Sequence, residues 1–266
     1  MKRTALLFYG IANYLFGVAA LVYLVAFLFN LYVPKTIDSG MYGNNFLAIL
    51  TNIGLITLFG FQHSIMARHS FKSWLIRFIP PAAERSTFML MTALVTFTLC
   101  LSWQNMPEVL WQVKDPFVSK AILGVGLAGW GLTLFSTFLI DHFDLFGLRQ
   151  VWTHFVKREY TQMPFKTVAL YRYIRHPIMT GVFVGIWVTP TMTAGHLLFA
   201  LGMSVYILIG VYHEEKDLIR VFGEKYRQYI QVTGRFVPAR KSPAYQSAAK
   251  FAEDSQNAIS QTDVGA

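Results

Sequence analysis

Residues 5–31 read ALLFYGIANYLFGVAALVYLVAFLFNL, an apolar run without a charge, behind the basic start Met1-Lys2-Arg3. A bilayer core of about 30 Å needs roughly 20 apolar residues per helix, so this run is long enough to cross. It is too long for a secretory leader and carries no small-residue cleavage pattern before Pro34, so it reads as a retained first span. The pattern recurs at 46–66, 87–105, 119–140, 177–193 and 195–212. Composition agrees: 54% of the 266 residues are hydrophobic and 14% charged, where a soluble domain carries about 25% charged residues. The expected fold is all-α, a polytopic membrane helical bundle of about six spans. Its last two form a short hairpin around Pro190 to Gly195, followed by a cytoplasmic C-terminal segment. Gly181, Gly185 and Pro190 permit a tilt or break there, and Gly124, Gly126, Gly129 and Gly131 allow close approach to the fourth span.

Six spans put both termini on one side, and the charges indicate which. Of 23 Lys and Arg, 20 fall at the N-terminus, in 67–86, in 141–176 and after 213; Lys35, Lys114 and Lys120 alone fall in the opposite loops. The positive-inside rule then expects both termini in the cytoplasm. The net charge of +9 is thereby one-sided and calls for anionic lipid headgroups, not nucleic acid. Cys100, the single cysteine, sits in an apolar run, which excludes a disulfide framework and a cysteine-rich metal site. Residues 243–266, rich in Ser, Ala and Gln, read as a disordered tail, leaving 1–242 as one membrane domain.

Ionisable residues beside membrane helices are costly and mark a site. Four clusters fall at expected cytoplasmic span ends: Gln62-His63-Ser64 with Arg68, Asp141-His142-Phe143-Asp144 through Arg149, Tyr171 to Pro177, and His213-Glu214-Glu215. Four clusters at one depth are expected to converge on a cavity. Simpler roles stand beside that one. Arg68, Lys72 and Arg77 read as topology determinants that snorkel, and Glu214 and Glu215 as surface groups pairing with Lys216 or Arg220. Carboxylates at a helix exit oppose its C-terminal dipole, however, which argues that this pair has a partner. Pro177 suits a first helical turn, placing His176 beside free backbone N–H groups that favour an anion. No metal is expected, because His63, Asp141 and His142 lack the spacing of a metal triad.

Arg175-His176-Pro177, Gly181, Glu214-Glu215, Phe222-Gly223-x-x-Tyr226 and Phe236-Val237-Pro238 together resemble the isoprenylcysteine carboxyl methyltransferase superfamily over about residues 166–238. That resemblance implies S-adenosylmethionine bound between cytoplasmic helix ends and a C-terminal segment. Phe61-Gln62-His63-Ser64-x-x-Ala67-Arg68, Asp141 through Gly147 and Arg175-His176-Pro177-Ile178-Met179 are similar to the bacterial methanethiol S-methyltransferase branch. Its implied chemistry is methylation of a small volatile thiol, methanethiol to dimethyl sulfide, in a bacterial inner membrane. Met179 stands where prenylcysteine enzymes carry Tyr, which argues against a prenylated peptide. The resemblance implies cofactor contacts at Tyr173, Arg175, His176, Pro177, Glu214, Glu215, Tyr226 and Arg235. It implies a thiol pocket at Gln62, Ser64, Phe146 and Met179, with His63, Asp141, His142 and Arg68 serving the chemistry.

A thiol with a pKa of about 8.5 or above is only a few per cent ionised at pH 7. A base therefore helps, and His63, His142 and the Asp141 carboxylate are the available choices, with Arg68 favouring the thiolate. Two other readings share parts of the pattern. Membrane NAD(P)H-dependent reductases of the sterol type carry Arg-His-Pro and Phe-Gly-x-x-Tyr but are longer, with more spans. Non-enzymatic membrane accessory or transport proteins resemble the segment around His63 and are generally shorter.

Overall fold

A computed structural model describes residues 2–40, 43, 45–161 and 167–239. In chain order the elements are α1 (Arg3–Leu28), α2 (Asn45–Ala67), α3 (His69–Leu75) and α4 (Glu84–Ser102), which a 3-10 turn at Pro81–Ala83 leads into. There follow β1 (Val109–Gln112), α5 (Pro116–Ile140), α6 (His142–Leu145), α7 (Leu148–Phe155) and α8 (Pro177–Trp187). The chain then forms β2 (Thr191–Thr193), α9 (Ala194–Phe222) and α10 (Glu224–Val232). Five stretches (α1, α2, Pro81–Ser102, α5 and α9) are long and apolar enough to cross a membrane. The protein is a multi-pass helical membrane protein. Helices suit that setting because they satisfy their own backbone hydrogen bonds where lipid offers none.

One end of the bundle is closed by an antiparallel two-stranded ladder. Val109 pairs with Thr193, Trp111 with Met192 and Gln112 with Thr191. Thr193 also donates to Asp38 at 2.6 Å, fastening the loop after α1 to the same end. Beneath the ladder, Phe27, Trp103, Ile186 and Phe199 form the buried core. At the opposite end Leu6, Ala83 and Val151 make a second apolar cluster joining α1, the 3-10 turn and α7.

α5 and α8 pack antiparallel at backbone distance, and glycine is the reason. A Cβ on Gly181 would lie 2.5 Å from the Gly129 carbonyl oxygen and from Thr133 Oγ1, and one on Gly129 would lie 2.8 Å from the Gly181 carbonyl. Thr133 donates across this seam to the Ile178 carbonyl at 3.2 Å. Of the four glycines expected to allow close approach, Gly126 and Gly129 do so, while Gly124 and Gly131 face open space.

Three expectations need correction. The final apolar pair is not a hairpin of two short spans. α8 has 11 residues, about 16 Å at 1.5 Å per residue, and stops where Val188 turns extended ahead of Pro190, which lacks a backbone N–H. The chain completes its path to the ladder in extended form, a short exception in a mostly helical fold. α9 runs 29 residues to Phe222, past the expected end at 212. Glu214 and Glu215 therefore lie within a helix, and the dipole argument about a helix exit does not apply to them. The expected tail at 243–266 lies outside the described residues.

Gly181→Val is expected to force the α5–α8 seam apart at a cost of about 1–3 kcal/mol. Thermal melting in detergent checks this, with Gly124→Val as the neutral control; equal melting temperatures would mean the seam tolerates a side chain.

Candidate active site

Glu215 sits on the inner face of α9, only 6% exposed, and three basic side chains meet on it. Arg175 Nε donates to Oε1 at 2.8 Å, Arg235 Nη2 donates to Oε2 at 2.6 Å, and His176 Nε2 lies 3.2 Å from Oε1. Arg175 reaches further, donating through Nη1 to the carbonyls of Ile230, at 3.2 Å, and Thr233. One side chain thus joins the start of α8, the middle of α9 and the end of α10. Buried ion pairs hold only when the geometry and extra hydrogen bonds repay desolvation, and this carboxylate has both.

The backbone brings these groups together. Ile174 and Gly234 form a parallel bridge, in which Gly234 N–H donates to Tyr173, Arg175 N–H to Gly234 and His176 N–H to Arg235. Gly234 is required there, since a Cβ would lie 1.7 Å from the Val237 carbonyl oxygen. Thr180 donates to the Phe236 carbonyl at 2.7 Å, holding the tail on α8. His176 N–H is therefore occupied, and the free N–H groups expected around it are partly spent on the tail. Pro177 opens α8 as the spacing predicts.

Glu214 is in a different position. Its side chain is 52% exposed, and among the described residues its ion-pair partner is His176 Nδ1 at 3.8 Å. Burial, against the opposing pull of Glu215, holds the His176 imidazole below the usual 6.5, so it is neutral at pH 7 and adds no positive charge beside Glu214. The expected partners lie elsewhere: Arg220 bonds Asp217, and the Lys216 ammonium lies 4.3 Å from the Tyr212 ring centre. Glu214 acts electrostatically on the Tyr171, Tyr206 and Tyr226 hydroxyls. Burial first, then these charges, push the Tyr171 and Tyr226 phenols well above the ordinary value, so both stay protonated donors.

Tyr206 joins this anionic patch to α2. It lies edge-on to Phe59 and His63, and its hydroxyl is within hydrogen-bonding reach of Ser64. The His63 ring stacks on Phe59 at 5.6 Å and packs against Phe88 at 4.8 Å. His63 Nδ1 and Gln62 Oε1 are enclosed without a hydrogen-bond partner. Arg68 lies beyond, 3.8 Å from Asp217 and exposed.

The 141–146 cluster is placed apart, against α1. His142 has Tyr14 Oη at 2.9 Å on Nε2 and Thr137 Oγ1 at 2.8 Å on Nδ1, and lies between the Phe138 and Phe146 rings. Both ring nitrogens are engaged by hydroxyls of the fold. Asp141 caps α6 by accepting from the Asp144 N–H at 3.0 Å. Tyr173 is exposed, and Met179 lies half-buried on α8. Sequence reasoning missed Tyr206, Phe59 and Phe88. Nothing marks an aromatic inside an apolar run, although Tyr206 does stand two turns before Glu214 on one helix.

Removing Arg175 strands a buried carboxylate, and a buried pair broken from one side costs about 3–5 kcal/mol. Arg175→Ala is expected to lower the detergent melting temperature more than Arg235→Ala, whose side chain is 45% exposed; the reverse order would assign the anchoring to the tail. His176 gives a pH dependence. Its folded pKa lies below the unfolded value, so its stabilising contribution is present above about pH 6.5 and is lost as the pH falls below that. Melting should therefore weaken from about pH 7 toward pH 5, with a shallower slope in His176→Gln, and equal slopes would place the acid sensitivity elsewhere.

No protein-family model matches the chain, and no solved structure matches it. Curated relatives match nearly all of it. Methanethiol S-methyltransferase 1 of Bradyrhizobium diazoefficiens is 45% identical over 234 residues, 88% of this chain and 82% of its own length. The methanethiol S-methyltransferase of Mycobacterium tuberculosis is 42% identical over 238 residues, 90% of this chain and 98% of its own length. That of a Pseudomonas species is 44% identical over 238 residues, 90% of this chain and 92% of its own length. At this identity over most of its length, the chain belongs to the methanethiol S-methyltransferase family.

Proposed function

We propose that the protein transfers a methyl group from S-adenosylmethionine to methanethiol, releasing dimethyl sulfide. The reading has the site at the cytoplasmic end of a six-crossing bundle in a bacterial inner membrane, with both termini cytoplasmic. Family membership supports the reaction, and the excess of Lys and Arg at the end opposite the ladder supports the orientation. The observation that carries it is the exposed Glu214 side chain, outside the arginine pairing, near a cluster of aromatic rings whose histidine lacks a hydrogen-bond partner. Nothing among the described residues favours the reductase or the accessory-protein reading.

The residues fit the methyl donor. A sulfonium is a cation, and Glu214, flanked by neutral His176 and the protonated Tyr171 and Tyr226, offers it a carboxyl group while Arg175 and Arg235 are held on Glu215. Glu214 and these phenols would hold it, with Glu215, Arg175 and Arg235 fixing the wall behind. When bound, S-adenosylmethionine supplies an electrophilic methyl that a thiolate sulfur takes by in-line attack.

The remaining work falls to the chain. Phe59, Phe88 and Tyr206 surround His63 with aromatic surface, which attracts divalent sulfur by about 0.3–1.5 kcal/mol per contact. So small a substrate offers little binding energy, and alignment supplies most of the rate. His63, with no hydrogen-bond partner among the described residues, accepts the thiol proton, whereas His142 is engaged on both ring nitrogens and lies apart, against α1. General-base assistance of this kind contributes about 10²–10⁴-fold.

His63→Ala is expected to cut turnover about 100-fold or more while leaving S-adenosylmethionine affinity within a factor of about two. Glu214→Ala should instead weaken that affinity about tenfold. Headspace chromatography for dimethyl sulfide beside calorimetric titration separates the two. Near-normal turnover in His63→Ala would remove the base assignment, and no methylated product from the unaltered protein would remove the reaction.

A further inference from the structure

A cavity of about 620 Å³ lies at the same end of the bundle, between α3, the start of α4 and the α6–α7 elbow. Glu214, Glu215 and His63 do not line it, although Arg85 on its wall acts electrostatically on His63. Its charges do not cancel. Asp144 on the wall is already satisfied, accepting from Arg149 at 3.1 Å, Gln150 at 3.3 Å and Tyr160 at 3.3 Å. The wall carries three cations, Lys72, Arg85 and Arg158, against two carboxylates, Glu84 and Asp144, and Asp144 is paired with Arg149 off the wall.

Arg85 is the key group. Its Nε donates to the Leu145 carbonyl at 2.7 Å, and its guanidinium lies 4.8 Å from the Phe88 ring centre, which fixes the plane of the fork. Neither Nη atom donates to any described residue. Lys72 likewise has no hydrogen-bond acceptor among the described residues, and desolvation holds its ammonium below the usual lysine pKa. A half-buried guanidinium with its outer edge open, beside a partly desolvated ammonium, is built for an anion with several oxygens. Arg forks match phosphate geometry in two parallel bonds, and Lys adds a point charge.

The surroundings place such an anion at a membrane surface. Trp74 and Phe78, in and just after α3, are 48% and 70% exposed, and Trp152 on α7 is 54% exposed. Aromatic rings of this kind favour the headgroup layer, where anionic lipids attract basic groups. The volume exceeds what a phosphate alone needs. Ser73, Thr153 and Tyr160 hydroxyls line the remainder, suiting a hydroxyl-bearing headgroup.

We propose that this cavity binds the phosphate of an anionic phospholipid headgroup, with Arg85 and Lys72 as its ligands. Delipidated full-length protein in neutral detergent tests it, with phosphatidylglycerol, phosphatidylcholine and inorganic phosphate as probes. Native mass spectrometry should detect one phosphatidylglycerol bound at least about tenfold more tightly than phosphatidylcholine, and the pair Lys72→Gln with Arg85→Gln should abolish that preference. If that pair fails to fold, Lys72→Gln with Arg158→Gln, both nearer the rim, should still reduce the preference several-fold. Equal binding of the two lipids, or an unchanged preference in the variants, would overturn the site. Inorganic phosphate binding as tightly as phosphatidylglycerol, with the same loss in the variants, would overturn the lipid assignment in favour of a soluble phosphate.

Discussion

Taking the Glu215 carboxylate out of water costs several kcal/mol, and the arrangement around it is what repays that cost. Arg175, His176 and Arg235 come from two segments far apart in sequence and reach one pair of oxygens. To deliver them, the start of α8 must meet the 234–236 segment edge to edge, and α10 must turn back so that its last carbonyls receive Arg175. The close α5–α8 seam supports this from below, since it fixes where α8 begins. An electrostatic demand at one residue thereby sets the backbone path of some sixty others.

Two adjacent carboxylates meet opposite fates on one helix. Residues one apart on a helix point about 100° from each other, so Glu215 faces the bundle while Glu214 faces the rim. The inner one is paired and structural, and the outer one stays outside that pairing. Because burial keeps His176 neutral, the paired cations around Glu215 do not extend to Glu214. A site that must attract a cation next to two arginines is workable only with this partition.

The apolar runs at 5–31, 46–66, 87–105 and 119–140 mark α1, α2, α4 and α5 closely, because a bilayer fixes both the length and the composition of a helix. The last pair was less legible. Hydropathy registers apolarity and not backbone hydrogen bonding, so Val188 to Thr193 looked helical, whereas they leave the helix and Thr191 to Thr193 pair with β1. The same run concealed the continuation of α9, whose charged final turns were read as loop. At the site, Arg175, His176, Glu215 and Arg235 were visible through motif resemblance, and the structure brings them together. His142 was read as a possible base because it is ionisable and near a helix end. Its Tyr14 partner is 128 residues away, and no local pattern announces it. Tyr206, Phe88 and Arg85 act through what they touch across helices, which spacing along the chain does not encode.

Chain order gives the Glu215 cluster a built-in sequence of assembly. Arg175 and His176 precede the carboxylate by about forty residues, whereas Arg235 follows it by twenty. Since translation proceeds at about 5–20 residues per second and upstream segments fold first, α9 emerges from the ribosome with two of its three counter-groups already made. Its acidic residue can enter the membrane bundle neutralised by α8 alone. Arg235 arrives later, with α10, and closes a pairing that is already tolerable, so the end of the chain completes the site without having to rescue it.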